Sequence, residues 1–265
     1  MNNRPIGIFD SGLGGLTVLQ AVNRLMPEEN LIYFGDTAHV PYGSKSRETV
    51  TRYSLEIARF LAGRRIKALV VACNTSSALA LEAVARSLEV PVLGVILPGA
   101  DAAAAATHNR RVGIIGTEAT IASGAYSKAL KARLPGVRVE PLACPLFVPL
   151  VEEGWWGHPA TLLAARQYLR PLQRSGIDTL ILGCTHYPLL KGVLRRVMGP
   201  SVRLIDSAQQ TALETQRLLI TLGLRRSGGR GRNRFFVSDA PQRFFKLARR
   251  LLGVRVGRVA QHAFD

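Results

Sequence analysis

The sequence predicts an α/β protein of two pseudo-symmetric domains, each a mostly parallel sheet flanked by helices, with the active site in the cleft between them. Three observations point there. Short β-branched runs alternate with amphipathic helical stretches, the pattern of βαβ units. Several runs, such as Leu69-Val70-Val71 and Leu180-Ile181-Leu182, are apolar throughout, as strands covered on both faces are. The chain also repeats itself. Residues 68–79 (A-L-V-V-A-C-N-T-S-S-A-L) echo 179–190 (T-L-I-L-G-C-T-H-Y-P-L-L), and residues 5–17 echo 111–123 at almost the same offset, with Gly7 matching Gly113. Cys73 and Cys184 therefore hold equivalent places.

In chain order, the first unit opens with a strand over 5–9 (P-I-G-I-F), and the glycine-rich turn after it starts a helix over 15–26. A strand at 30–34 (N-L-I-Y-F), an amphipathic helix at 47–62, the apolar strand 66–72, a helix at 76–88 and a strand at 92–96 follow. Leu97-Pro98-Gly99 reads as a crossover, because proline and glycine punctuate the chain there. The second unit runs through helix 99–107, strand 111–115, helix 119–133, strand 137–140, helix 159–173, strand 178–182, helix 188–197 and strand 202–205. After Asp206 come a helix at 207–222 with no counterpart in the repeat, a strand at 234–237, a helix at 240–251 and a strand at 254–259. This last stretch is expected to return to the first domain, giving domains of 1–97 plus 207–265 and 98–206. Within it, Arg225–Arg234 (R-R-S-G-G-R-G-R-N-R) reads as a flexible, solvated connection.

With 265 residues and 47% hydrophobic content, the chain can bury a sizeable core and is not of the disordered class. Its apolar runs are too short to span a bilayer, and the N-terminus enters a strand with no signal-peptide pattern, so a soluble cytoplasmic protein is expected. Three cysteines give no disulfide framework; in a reducing compartment they are free thiols whose reactivity becomes the question. The net charge of +17 comes mostly from arginine. It reads first as a solvated basic surface, with nucleic-acid binding or steering of an anionic substrate as sharper alternatives. No helix-turn-helix, zinc-finger or RNP signature accompanies it.

A cysteine just past a strand's carboxyl end, ahead of a helix, lies in the crevice where open α/β sheets bind ligands. The helix amino end favours thiolate, so lowered pKa values are expected at Cys73 and Cys184. Asn74, Thr75 and Thr185 add capping and hydrogen-bonding groups, and His186 could tune Cys184 or donate to a carboxylate. Cys144, in L-A-C-P-L-F-V-P-L, lacks a helix-opening context and reads as an inert packed thiol.

Asp10-Ser11-Gly12-Leu13-Gly14-Gly15 sets a carboxylate and a hydroxyl at a strand end before a glycine-rich turn, a plausible cradle for a carboxylate though not a phosphate fingerprint. Asp10 either caps the helix or orients a catalytic group and holds an ammonium. Pro41-Tyr42-Gly43-Ser44 can donate backbone N–H groups, and Thr117 occupies the place that Ser11 holds in the first unit. Of Glu152 and Glu153, either could reach the site, or both could be surface. Cys73, Cys184 and His186 lack metal-ligand spacing, so no metal is expected. None of the six lysines has a convincing setting beside a phosphate cup, so no pyridoxal phosphate and no other cofactor is expected.

Two thiols on opposite sides of one site suit inversion of an amino-acid α-carbon. A proton leaves one face and another arrives at the opposite face, and a thiol pKa can be brought near working pH. Neutral donors from Ser11, Asn74, Thr75, Thr117 and Thr185 would stabilise the developing carbanion through the α-carboxylate. The pair would titrate as a coupled unit.

With these residues in view, the chain resembles the glutamate racemases of the aspartate/glutamate racemase family. The resemblance rests on D-S-G-L-G-G (10–15), P-Y-G (41–43), A-C-N-T (72–75), G-V-I-L-P-G (94–99), G-I-I-G-T (113–117), C-P-L-F-V-P-L-V-E-E-G (144–154) and G-C-T-H-Y-P-L-L (183–190), and covers most of the chain. It implies cofactor-independent interconversion of L- and D-glutamate in a cleft between two pseudo-dyad-related domains, supplying D-glutamate for peptidoglycan. It implies that Cys73 acts on D-glutamate and Cys184 on L-glutamate, with Asp10 and His186 assisting and Glu152 a nearby acid. Ser11, Tyr42, Gly43, Asn74, Thr75, Thr117, Thr185 and His186 match the family's substrate contacts. Homodimers are common in the family, so a homodimer is expected; some members inhibit DNA gyrase, which leaves nucleic-acid or gyrase contact open, though no motif supports it. An aspartate or hydantoin racemase is the nearest alternative. The chain departs from the family at Ser76, where alanine is frequent, and in its strong basic charge.

Overall fold

The structure, a computed structural model, describes residues 2–252 and 257–264. Its first stretch runs β1 (Ile6–Asp10), α1 (Leu16–Leu25), β2 (Leu31–Gly35), α2 (Arg47–Ala62), β3 (Ala68–Val71), α3 (Asn74–Leu79), α4 (Leu81–Arg86) and β4 (Val92–Gly94). The middle runs α5 (Ile96–Ala106), β5 (Arg111–Gly116), α6 (Glu118–Ala122), α7 (Ala125–Arg133), β6 (Arg138–Ala143), α8 (Phe147–Glu152), α9 (Pro159–Arg174), β7 (Thr179–Gly183), α10 (Lys191–Met198) and β8 (Arg203–Ile205). The last stretch adds α11 (Ala208–Thr221), β9 (Asn233–Val237), α12 (Pro241–Leu252) and β10 (Val259–Gln261).

Two parallel sheets result, a six-stranded one in the order β10-β9-β2-β1-β3-β4 and a four-stranded one in the order β6-β5-β7-β8. Successive strand residues point to opposite faces, and both faces of each sheet are covered. Ile6, Ile8, Tyr33 and Val70 pack against α1, α11 and α12, while Phe9, Ile32, Phe34 and Val71 pack against α2 and α4. In the second sheet, Ile115, Leu180 and Leu182 face α8, α9 and α10, and Val112, Ile114 and Ile181 face α5 and α7. Each such side chain contributes roughly 2–3 kcal/mol by leaving water, so these strands tolerate no polar alternation. Among the described residues, no helix is long and apolar enough to cross a membrane.

Several elements differ from the sequence expectation. Leu97, Pro98 and Gly99 are not a loop but lie in the first turn of α5, where an N–H has no helical partner and proline is tolerated. The helix expected over 76–88 breaks at Ala80, and the one expected over 119–133 breaks at Gly124, whose φ of 65° is left-handed. A 3-10 turn, Tyr187–Leu190, precedes α10. Helix α8 has no counterpart among the elements the sequence predicts. Of the strand expected at 254–259, residues 254–256 lie outside the described residues, 257 and 258 are not strand, and the strand present begins at Val259.

The Arg225–Arg234 loop is pinned rather than free. Gly231 N–H donates to Pro27 O (2.9 Å), Leu31 N–H to Arg232 O (3.0 Å) and Arg226 N–H to Glu29 Oε1 (2.8 Å). Beneath it, the fully buried pair Lys67–Glu29 (2.5 Å) also reaches the Leu224 carbonyl at 2.8 Å.

Candidate active site

One small cavity collects residues from the carboxyl ends of strands in both sheets. Ser11, Pro41, Tyr42, Gly43, Cys73, Asn74 and Thr75 come from the first sheet's connections, and Thr117, Val148, Cys184, Thr185 and His186 from the second's. Its volume is about 10 Å³, room for a single water at most. Ten of the twelve sequence-predicted site residues are in this lining. The other two, Asp10 and Glu152, stand behind it and hold residues that do line it.

Glycines let the two halves meet so closely. A Cβ on Gly14 would fall 2.5 Å from Thr185 Oγ1, and one on Gly43 would run into the Thr117 side chain. Two N–H groups of the 10–15 turn face inward: Gly12 donates to Asp10 Oδ2 (3.1 Å) and Gly15 to the same carboxylate, while Ser11 lines the cavity. Asp10 Oδ1 accepts from Thr185 Oγ1 at 2.9 Å, a bond between the two sheets' loops. Burial raises the Asp10 pKa, opposed by the charge of His186 and by these donors.

Cys73 caps α3, and its sulfur accepts from Ser76 N–H at 3.5 Å and lies 3.7 Å from Ser11 Oγ. The helix end does not lower its pKa as expected. Burial, joined by the Asp10 charge, pushes the thiol up to about 11, outweighing the Ser76 and Ser11 hydrogen bonds. Cys184 is followed by the 3-10 turn rather than by an α-helix amino end, so the expected capping geometry is present at one thiol only. Its sulfur lies 3.7 Å from His186 Nδ1, and His186 Nε2 lies 2.6 Å from Glu152 Oε1. Burial opposes charge on this imidazole. Hydrogen bonds and charge from Cys184 and Glu152 nevertheless raise its pKa well above the ordinary histidine value. Burial would raise Glu152, but its bond to His186 prevails and lowers it. Glu153 turns outward to Arg243 at 2.9 Å, which settles which of the two acids reaches inward.

The remaining polar groups bridge the two halves. Thr75 Oγ1 lies 2.9 Å from Thr117 Oγ1 and 3.2 Å from Thr120 Oγ1, and Thr117 also caps α6. The Tyr42 hydroxyl is committed to Asp36 Oδ2 at 2.5 Å, so the 41–43 turn offers a ligand its backbone rather than its phenol. Asn74 Nδ2 is buried with no hydrogen-bond partner, although a buried amide normally has one.

Sequence reasoning missed Asp36, Thr120, Val148 and Tyr126. Asp36 had a signal, a carboxylate just past a strand end, as did Thr120, a hydroxyl three residues after the cap Thr117. Val148 sits on the unforeseen α8. Tyr126, which bonds Asn74 from α7, carries no local sign. Cys144 is fully buried and lies outside the cavity lining. Among the described residues, no three His, Cys, Asp or Glu side chains are grouped to hold a metal.

A family profile described as Asp/Glu/Hydantoin racemase matches residues 6–215. The chain is 56% identical to a Geobacter metallireducens protein described as glutamate racemase, over 99% of this chain and 97% of that protein. The crystal structure of glutamate racemase from Thermus thermophilus in complex with beta-chloro-D-alanine is 50% identical, covers 98% of this chain and 97% of its own, and superposes with a TM-score of 0.88. That of the Francisella tularensis glutamate racemase in complex with D-glutamate is 36% identical, covers 100% and 98%, and superposes with a TM-score of 0.92.

Proposed function

The chain belongs to the Asp/Glu/Hydantoin racemase family, and from that premise we propose that it interconverts L- and D-glutamate by a two-thiol mechanism in this cavity, supplying D-glutamate for peptidoglycan in the cytoplasm. One observation carries the mechanism: thiols from corresponding strand ends of two different sheets line a single cavity together with neutral hydrogen-bond donors. Glutamate is favoured over aspartate by the relatives described as glutamate racemases, at up to 56% identity over nearly the whole chain.

The α-carbon of glutamate sits between the two sulfurs. From L-glutamate, the Cys184 thiolate takes the α-proton and the electron pair is left on the α-carbon and carboxylate. Asn74, Thr75 and Thr185 donate to that carboxylate as its negative charge grows. The Cys73 thiol then delivers its proton to the opposite face, giving D-glutamate, a Cys73 thiolate and a Cys184 thiol. The reverse direction uses the same atoms in the opposite order. Burial and Asp10 favour the protonated form of Cys73, which suits it to act as the acid when L-glutamate is the substrate. His186, held as a cation between Cys184 and Glu152, balances charge at the other sulfur.

A cavity of about 10 Å³ does not hold an amino acid, so entry requires the two sheets' loops to part at the Asp10–Thr185 and Thr75–Thr117 bonds. The test is turnover in heavy water without added metal or pyridoxal phosphate. Deuterium enters the α-position of glutamate if the reading holds; an unlabelled, optically unchanged product overturns it. Running aspartate in parallel decides the substrate. Sedimentation at micromolar concentration checks the homodimer that the family likeness suggests.

A further inference from the structure

Tyr126 belongs to α7, on the second sheet, yet its hydroxyl donates to Asn74 Oδ1 on the first sheet's α3 at 2.7 Å. Both residues are only 2% exposed. The ring occupies a slot kept open by two glycines: a Cβ on Gly99 would lie 3.1 Å from it, and one on Gly183, next to Cys184, would lie 3.2 Å away. Ser207 is a further hydrogen-bonding neighbour of the phenol. A side-chain amide can turn either way, and its partner decides which end points where. Here the oxygen is taken, and the unpartnered Nδ2 belongs to a residue that lines the cavity.

We propose that Tyr126 is a positioning residue: across the junction of the two sheets it fixes Asn74 so that its N–H donors, not its carbonyl oxygen, face the substrate carboxylate. The inference rests on the racemase reading for its ligand and on the hydroxyl–amide geometry for its mechanism. Burial favours the protonated phenol, so Tyr126 remains a donor. Because one bond joins α7 to α3, the amide is aimed only when the two halves are together, which couples carboxylate recognition to closure.

The experiment compares Tyr126→Phe, Asn74→Ala and the double variant. Tyr126→Phe keeps the ring in its slot and removes only the hydroxyl. We expect the KM for both enantiomers to rise about tenfold, with kcat changed less than about twofold. In the Asn74→Ala background the same change should add less than about twofold, since the hydroxyl acts through the amide. The side-chain amide resonances of Asn74 in the unliganded protein should shift in Tyr126→Phe. An unchanged KM, or an equal effect with and without Asn74, overturns the inference while leaving the racemase reading intact. If the unaltered protein does not racemise glutamate, that reading falls, and the amide resonances decide the inference alone: a shift supports it and unchanged signals overturn it.

Discussion

The two thiols reach the cavity by the same route and stand in unlike company. Cys73 follows β3 and caps a helix, with a hydroxyl, a backbone N–H and the Asp10 carboxylate near it. Cys184 follows β7 and has beside it an imidazole backed by Glu152. Sequence duplication thus reproduced the position of the sulfur but not its proton inventory. One side is arranged around keeping a proton, the other around a cation beside sulfur. A two-sided proton transfer needs that inequality at any instant, because two thiols in identical states could not begin by taking a proton on one face and giving one on the other.

The largest test of this comparison removes either sulfur. Cys73→Ala and Cys184→Ala should each lower racemisation by about 10³-fold or more, measured by the rotation of glutamate solutions, with circular dichroism confirming the fold. Near-normal activity in one variant would make the site one-sided. Next come the neighbours. His186→Asn and Asp10→Asn should each slow turnover by about 10²-fold, but on different sides. Impairing the Cys184 side makes proton removal from L-glutamate limiting, so His186→Asn should show the larger isotope effect with α-deuterated L-glutamate. Asp10→Asn should show it with the D-enantiomer. The same preference in both variants would break the assignment of partners.

A smaller effect is expected at Gly14, whose missing Cβ lets the Asp10 turn touch Thr185. Gly14→Ala should hold the halves apart and raise KM about tenfold, or cost about 1–3 kcal/mol in thermal unfolding if the loop is forced. The proton on Cys73 also predicts an alkaline signature. A thiol that ionises near 9.0 when exposed ionises here at about 11. Below pH 9 the folded and unfolded chains both hold the proton and the contribution is fully present. From about pH 9 to 11 the unfolded chain sheds it first, and roughly 2–3 kcal/mol of stability is lost. Denaturant titrations should show that part of the slope vanish in Cys73→Ala. The smallest effect is expected at Cys144, outside the cavity lining: Cys144→Ala should leave turnover unchanged and cost about 1 kcal/mol of packing.

Much of the fold could be read from the chain because its strands are buried on both faces. Ile6–Asp10, Leu31–Gly35 and Thr179–Gly183 fall within about a residue of their expected positions for that reason. Helix α8 was hidden by Pro145 and Pro149, since a local reading takes two prolines as breakers. Pro149 in fact lies in the first turn, where its missing N–H costs nothing. The thiols were legible through the repeat. Their differing environments were not, because Asp10 meets Thr185, and Tyr126 meets Asn74, only across the junction of two separately coded halves. The Arg225–Arg234 loop is exposed over most of its length, as glycine and arginine suggest, but its attachment could not be read locally: the N–H groups of Arg226, Gly231 and Arg232 find partners in the distant 27–30 turn.

The first sheet's strand order has a consequence for how the polypeptide is born. Its β9 lies beside β2 and its helical cover includes α11 and α12, all encoded after the whole second sheet. A ribosome working from the amino end therefore releases every strand of the second sheet while the first still lacks an edge and two of the three helices over one face. The buried lysine under the 225–234 loop waits as well, since the carbonyl of Leu224 is among its last partners to emerge. Nascent chains stalled after residue 206 should protect the later-encoded half from protease before the earlier one, so that the half made first is the half finished last.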